Sequence, residues 1–118
     1  MEEVLIRNME KSSVKTLRDL LDYEDGKVAS LTLAKKKGVG ITLMAFDAGE
    51  SIATHAAGGD AMVVDLEGEV EITIDGKPYI LHEGESIIMP CGIPHALKAI
   101  TRYKMMLTVV FPDPKQPA

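Results

Sequence analysis

The sequence predicts an all-β domain, a sandwich or closed barrel, on three observations. Short runs rich in Ile, Val, Leu and Thr recur about nine times between residues 27 and 111. Turn-forming residues separate most of them, as at 47–49, 58–59, 75–76, 83–84 and 90–94. Hardly any segment carries the apolar period of about 3.6 residues that marks a helix. Strands of this kind must pack face to face or close on themselves to bury their apolar sides. Pattern alone leaves an immunoglobulin-like sandwich in competition with a barrel. The Cys…Trp…Cys signature of that sandwich is missing, since the chain has one Cys and no Trp.

Taken in order, residues 1–15 show no firm period. Residues 16–23 read as a turn or two of helix, with Thr16 as its cap and Asp19 three positions on. Gly26 ends it. From Lys27 the pattern alternates as a strand to Ala34, and residues 41–46 form the next candidate before Asp47-Ala48-Gly49. Further strands are expected over 52–55, 61–66, 70–74, 79–81, 86–89, 96–100 and 104–111. Glu69, Glu71 and Thr73 alternate with Val70, Ile72 and Ile74, so one face there should be wet. Asp75-Gly76 suits a type I′ hairpin turn, which needs positive φ at both central positions. Pro112, Pro114 and Pro117 stop the last strand and begin a tail expected to fray. The expected division is an N-terminal segment with the first strand (1–35), a barrel (36–111) and a tail (112–118).

Composition narrows the function classes. The 118 residues are 46% apolar, which suits one folded domain and argues against disorder. A net charge of −5 and no basic stripe with aromatics point away from nucleic acid. The densest basic run, Lys35-Lys36-Lys37, reads as a solvated turn before Gly38. One cysteine rules out an intrachain disulfide. No segment reaches the roughly 20 apolar residues of a spanning helix, and the first residues do not form a signal peptide. A membrane is therefore not expected as a partner, and the cytoplasm is the default compartment. No nucleophile motif or phosphate-binding glycine loop is present.

Two Gly-punctuated blocks hold what chemistry the sequence shows. The first runs from Gly49 through His55, Ala57 and Asp60 along an apolar run to Gly68. The second reads Gly84, then Pro90-Cys91-Gly92-Ile93-Pro94-His95. Imidazole and carboxylate together form a donor set that a divalent transition metal accepts.

These blocks resemble the paired motifs of the cupin family, small single-domain barrels of the jelly-roll or double-stranded β-helix type. The resemblance covers about residues 40–111. The second block matches the family's Pro-x-Gly-x-x-His run completely. In the first, the family has His-x-His and then Glu, where this chain has His55-Ala56-Ala57 and then Asp60. Members of the family typically hold Fe, Mn, Zn, Ni or Cu with three histidines and a glutamate. Carried over residue by residue, the resemblance implies His55, Asp60 and His95 as ligands for a divalent ion (Zn, Mn, Ni or Fe), with Ala57 unable to ligate. Alternate residues of a strand share a face, so position 57 should point inward with His55. Asp60, one methylene shorter than Glu, reaches about 1.5 Å less far. The alternative is that His55 and His95 are hydrogen-bonded polar residues at a barrel mouth and Asp60 ends a turn.

Pocket-lining candidates are Ala57, Met62, Met44, Met106 and Leu97; Met105 and Met106 must point opposite ways on a strand. Cys91 is expected as a small buried residue and His82 as an exposed one. The resemblance implies a small-molecule ligand and a homodimer with the 27–34 strand at its interface. An enzyme of metal-dependent oxygenase or isomerase type and a non-catalytic binding module both remain open.

Overall fold

Side-chain alternation decides which face of each strand turns inward, and nine strands follow it, local bulges apart, around one apolar interior. In the computed structural model residues 3–114 are described; the expectations for Met1, Glu2 and residues 115–118, Pro117 among them, lie outside the described residues. The strands are β1 (Val28–Lys35), β2 (Val39–Phe46), β3 (Ser51–His55), β4 (Asp60–Glu67), β5 (Val70–Ile74), β6 (Lys77–Leu81), β7 (Ser86–Met89), β8 (His95–Ala99) and β9 (Tyr103–Val110). All pairings are antiparallel, in a five-stranded sheet ordered β1-β2-β9-β4-β7 and a four-stranded sheet ordered β3-β8-β5-β6. This is the jelly roll, all-β apart from one short 3-10 turn at Leu17–Leu20. β1 pairs along its length with β2, so the first strand belongs to the same sheet as the barrel wall.

The core lies between the sheets. Phe46, Val63, Val70, Ile72, Tyr103 and Met105 are almost wholly removed from water. On β9 the inward set is Tyr103, Met105, Leu107 and Val109, all apolar or aromatic. The other face of the larger sheet is covered near the N-terminus: the Lys104 ammonium donates to the Arg18 carbonyl at 2.7 Å and lies over the Tyr23 ring. Thr16 makes no side-chain cap bond; the turn is held instead by the Asp19 N–H on the Thr16 carbonyl, a bond too local to extend into an α-helix.

Two turns explain sequence features directly. Asp75 (φ 49°) and Gly76 (φ 80°) form the two-residue β5–β6 connection with the backbone a type I′ turn requires. Gly68 (φ 80°) lies so close to β9 that a Cβ on it would fall 1.9 Å from the Arg102 carbonyl oxygen. No side chain fits there.

Candidate functional site

His95 opens β8, a strand paired on both sides by β3 and β5, and is 2% exposed. Pro94 positions it: the Pro94 carbonyl accepts the Asp75 N–H at 2.9 Å, anchoring the end of the loop to the hairpin turn. His55 ends β3. Between Ile52 and His55, three steps along β3 match two along β8, because Ile52 pairs with Leu97 and His55 with His95. A bulge of this kind inserts one residue and re-aims the side chains beyond it. Without the extra residue, alternation from the inward Ile52 would turn His55 away; with it, His55 faces His95. The ring centroids are 4.4 Å apart at an interplanar angle of 69°.

The protonation of both rings follows from their neighbours. His55 Nδ1 lies 3.0 Å from the Ala53 carbonyl and His95 Nδ1 3.3 Å from the Ile93 carbonyl. A carbonyl only accepts, so Nδ1 is the donor in each ring, and a neutral ring so oriented keeps its lone pair on Nε2. Burial, then the neighbouring His55, hold His95 below the usual histidine range, outweighing the Ile93 carbonyl. The buried ring is therefore a neutral Nε2 donor.

Both imidazoles line a cavity of about 160 Å³, His95 from its buried wall and His55 from its solvent-exposed side. Ala57, Met44 and Leu97 line it too, with Met89 and Met105 completing its softer wall. Leu107 and Val109 also line a larger cavity of about 440 Å³, together with Thr32, Thr42, Lys35, Lys36 and Lys37. The lysine run is thus the rim of a cavity as well as a turn.

Motif spacing, jelly-roll topology and the facing histidines all point to one family. The cupin-domain family model matches residues 42–111. The chain belongs to the cupin family.

Solved structures of similar fold match most of this chain. A conserved protein of unknown function from Streptococcus pyogenes is 42% identical, with a TM-score of 0.90 over 93% of this chain and 96% of that one. A cupin superfamily protein from Desulfitobacterium hafniense is 27% identical, with a TM-score of 0.87 over 91% of this chain and 98% of that one. A cupin 2 conserved barrel domain protein from Leptotrichia buccalis is 40% identical, with a TM-score of 0.77 over 79% of this chain and 45% of that one. No curated protein matches the chain.

This cupin departs from the expected three-residue set at Asp60. Its Oδ1 accepts the Cys91 N–H at 2.8 Å, on an exposed side of the barrel. The Gly92 N–H bonds to the Ala57 carbonyl at 2.9 Å, so the first block's loop holds the second block's turn in place. Asp60 is the clasp between the blocks, not a neighbour of the imidazoles. Among the described residues no group of three His, Cys, Asp or Glu side chains is placed to hold a metal.

Met62 and Met106 are corrected for a related reason. Met62 shares the outward parity of Asp60 and is 38% exposed, while Ala61 and Val63 point in. Met106 shares its face with Lys104 and Thr108, and Met105 takes the inward place. The polar residues on that parity were the available signal for Met106. For Met62 the signal was masked, because the inward parity of β4 ends in a charged residue, the buried Asp65. Cys91 is exposed at the loop tip instead of buried, since its backbone and not its thiol is what the clasp uses. His82 is exposed and pairs with Glu85 at 2.9 Å.

Proposed function

We propose that this cupin binds a transition-metal ion inside its barrel through His55 and His95 and presents it to a small molecule entering from the lysine-rimmed cavity. The observation that carries the reading is the pair of imidazoles on one cavity wall, each with Nδ1 turned to a backbone carbonyl. Neutral imidazole oriented through Nδ1–H to a backbone carbonyl is the form in which histidine ligates metals. A bound ion would supply Lewis acidity toward an oxygen of the ligand. The apolar wall of Leu107 and Val109 suits an apolar body, and the Lys35–Lys37 charges suit an acidic end. Metal analysis of protein purified without chelator tests this; less than about a tenth of an equivalent of any transition metal per chain would overturn it.

A second reading, of a metal-free binding module, is favoured by the commitment of Asp60 to the clasp. There the imidazoles hydrogen-bond a small acid directly. Calorimetry with chelator-treated protein separates the two, since only the second reading retains ligand affinity.

The homodimer and the cytoplasmic placement belong to the same proposal. No helix among the described residues is long and apolar enough to cross a membrane. β1 is an edge strand, and among the described residues only Arg7 and Asn8 bond to its outer side, at the Leu33 and Thr32 carbonyls. The uncovered edge at 28–31 is where a second copy can pair. Light scattering that finds a monomer at micromolar concentration would end the dimer proposal.

A further inference from the structure

The cavity around the two histidines has a donor composition of its own. Its wall carries two imidazoles, three methionines (Met44, Met89 and Met105) and no carboxylate. Met89 is 2% and Met105 1% exposed, so their thioethers belong to the interior. The one acidic residue that the first block offers is tied to the Cys91 N–H.

This set does not fit a hard divalent ion. Such an ion would lose part of its hydration against a largely apolar, uncharged wall, where its desolvation cost grows with the square of its charge and no carboxylate offsets it. Mn, Fe and Zn in sites of few imidazoles draw the rest of their stability from carboxylate or thiolate. The same space suits a soft monovalent ion. Thioether and imidazole are both neutral donors, and sulfur of this kind selects Cu(I). Methionine side chains have three rotatable bonds and can turn sulfur toward an ion without moving a strand.

We infer that the barrel is a Cu(I) site, in which His55 and His95 supply nitrogen and methionines of the same wall supply sulfur. The inference rests on the metal-binding reading above and replaces its missing third donor with thioether. Ala57 has a part in it: a histidine there would add another nitrogen and shift preference toward harder ions, whereas a methyl group leaves the methionine wall open to the ion.

Chelator-treated protein is titrated with Cu(I), kept reduced by ascorbate, against a chromophoric Cu(I) chelator, and with Zn(II) in parallel. A single equivalent of Cu(I) is expected, held far more tightly than Zn(II). X-ray absorption of the wild-type Cu(I) protein should show sulfur and imidazole nitrogen together around copper. Met89→Leu and Met105→Leu, close in volume to the native residues, should each lower Cu(I) affinity about tenfold and move Zn(II) affinity less than about twofold. Copper surrounded only by nitrogen and oxygen, or Zn(II) binding as tight as Cu(I), overturns the inference while leaving the metal reading standing. Retention of no ion at all overturns both. The spectroscopic result on wild-type protein holds even where a variant fails to fold.

Discussion

His55 and His95 are register partners on antiparallel β3 and β8, with ring centroids 4.4 Å apart. Each ring spends its Nδ1 proton on the carbonyl two residues before it, Ala53 for one and Ile93 for the other. The backbone thus sets both tautomers without help from any acidic side chain. What the pair lacks is a third strong donor.

Ala57→His restores an imidazole to the cavity wall beside His55. Zn(II) or Ni(II) affinity should rise by at least about tenfold, measured by calorimetry on chelator-treated protein. An unchanged affinity would show that position 57 does not face the ion.

Asp60→Ala removes the acceptor of the Cys91 N–H. Stability should fall by about 1 kcal/mol in urea unfolding, and the 90–95 loop should exchange its amide hydrogens faster. Asp60→Asn keeps an acceptor oxygen, so metal affinity should match the wild type. A loss of metal in the Asn variant would restore Asp60 as a ligand.

Nitrogen-15 NMR should find Nε2 of the His95 imidazole unprotonated at neutral pH. His95 is held below its ordinary range of about 6.5 by burial and by His55, so its protonation should come at more acidic pH. As pH falls, the unfolded chain takes up this proton before the folded one does, and His95 should contribute a loss of stability below about pH 6.5. A His95 that titrates above that value would contradict the burial argument.

Asp65 is 1% exposed, and neither carboxylate oxygen has a hydrogen-bond partner of ordinary geometry among the described residues; the nearby Tyr103 hydroxyl is likewise unpaired. Burial pushes its pKa up to about 7, the Glu67 N–H opposing this only in part, with Glu83 and Glu85 adding to the rise and His82 reducing it. The unfolded chain releases this proton near pH 3.8 and the folded chain near 7, so stability should fall as pH rises through that window and level off above it. On the order of 2 kcal/mol is involved, the shift at about 1.4 kcal/mol per unit being discounted for solvent screening. Asp65→Asn should flatten that part of the stability curve, read from urea midpoints between pH 4 and 8.

Gly68→Ala forces a methyl group against the Arg102 carbonyl at a φ of 80°. A loss on the order of 2–4 kcal/mol is expected in chemical denaturation, because backbone cannot yield as a side-chain tip can. Gly84→Ala, also at positive φ but with open space around it, should cost less.

Much of the fold was legible because it depends on local chemistry. Every expected strand from β1 to β9 is present, with ends shifted by a residue or two where pairing extends beyond the apolar run. Asp75-Gly76 announced its hairpin because few other residues tolerate two consecutive positive φ values. The helical turn expected over 16–23 is a single 3-10 turn at Leu17–Leu20, and what Thr16 lacks is the side-chain cap bond expected of it.

The site was legible only in part, and the reason is parity. Met44 and Leu97 lie on the cavity wall because their strands alternate without interruption. His55 reaches it through a bulge, which no local pattern declares. Asp60 and Met62 were assigned inward together and point outward together, since one residue's face sets that of its neighbour two positions on.

By itself, the sequence determined an all-β chain of nine strands, the places where it turns, and two blocks able to bring imidazole to one hollow. These follow from alternation, from positive-φ positions and from Pro-x-Gly-x-x-His spacing, each a matter of a few consecutive residues. Only the tertiary structure decided which face each donor occupies: His95 buried and His55 open to solvent on one cavity wall with three methionines, the Asp60 carboxylate outside as a clasp. That choice depends on strand register across the sheets, where one inserted residue reverses every side chain beyond it.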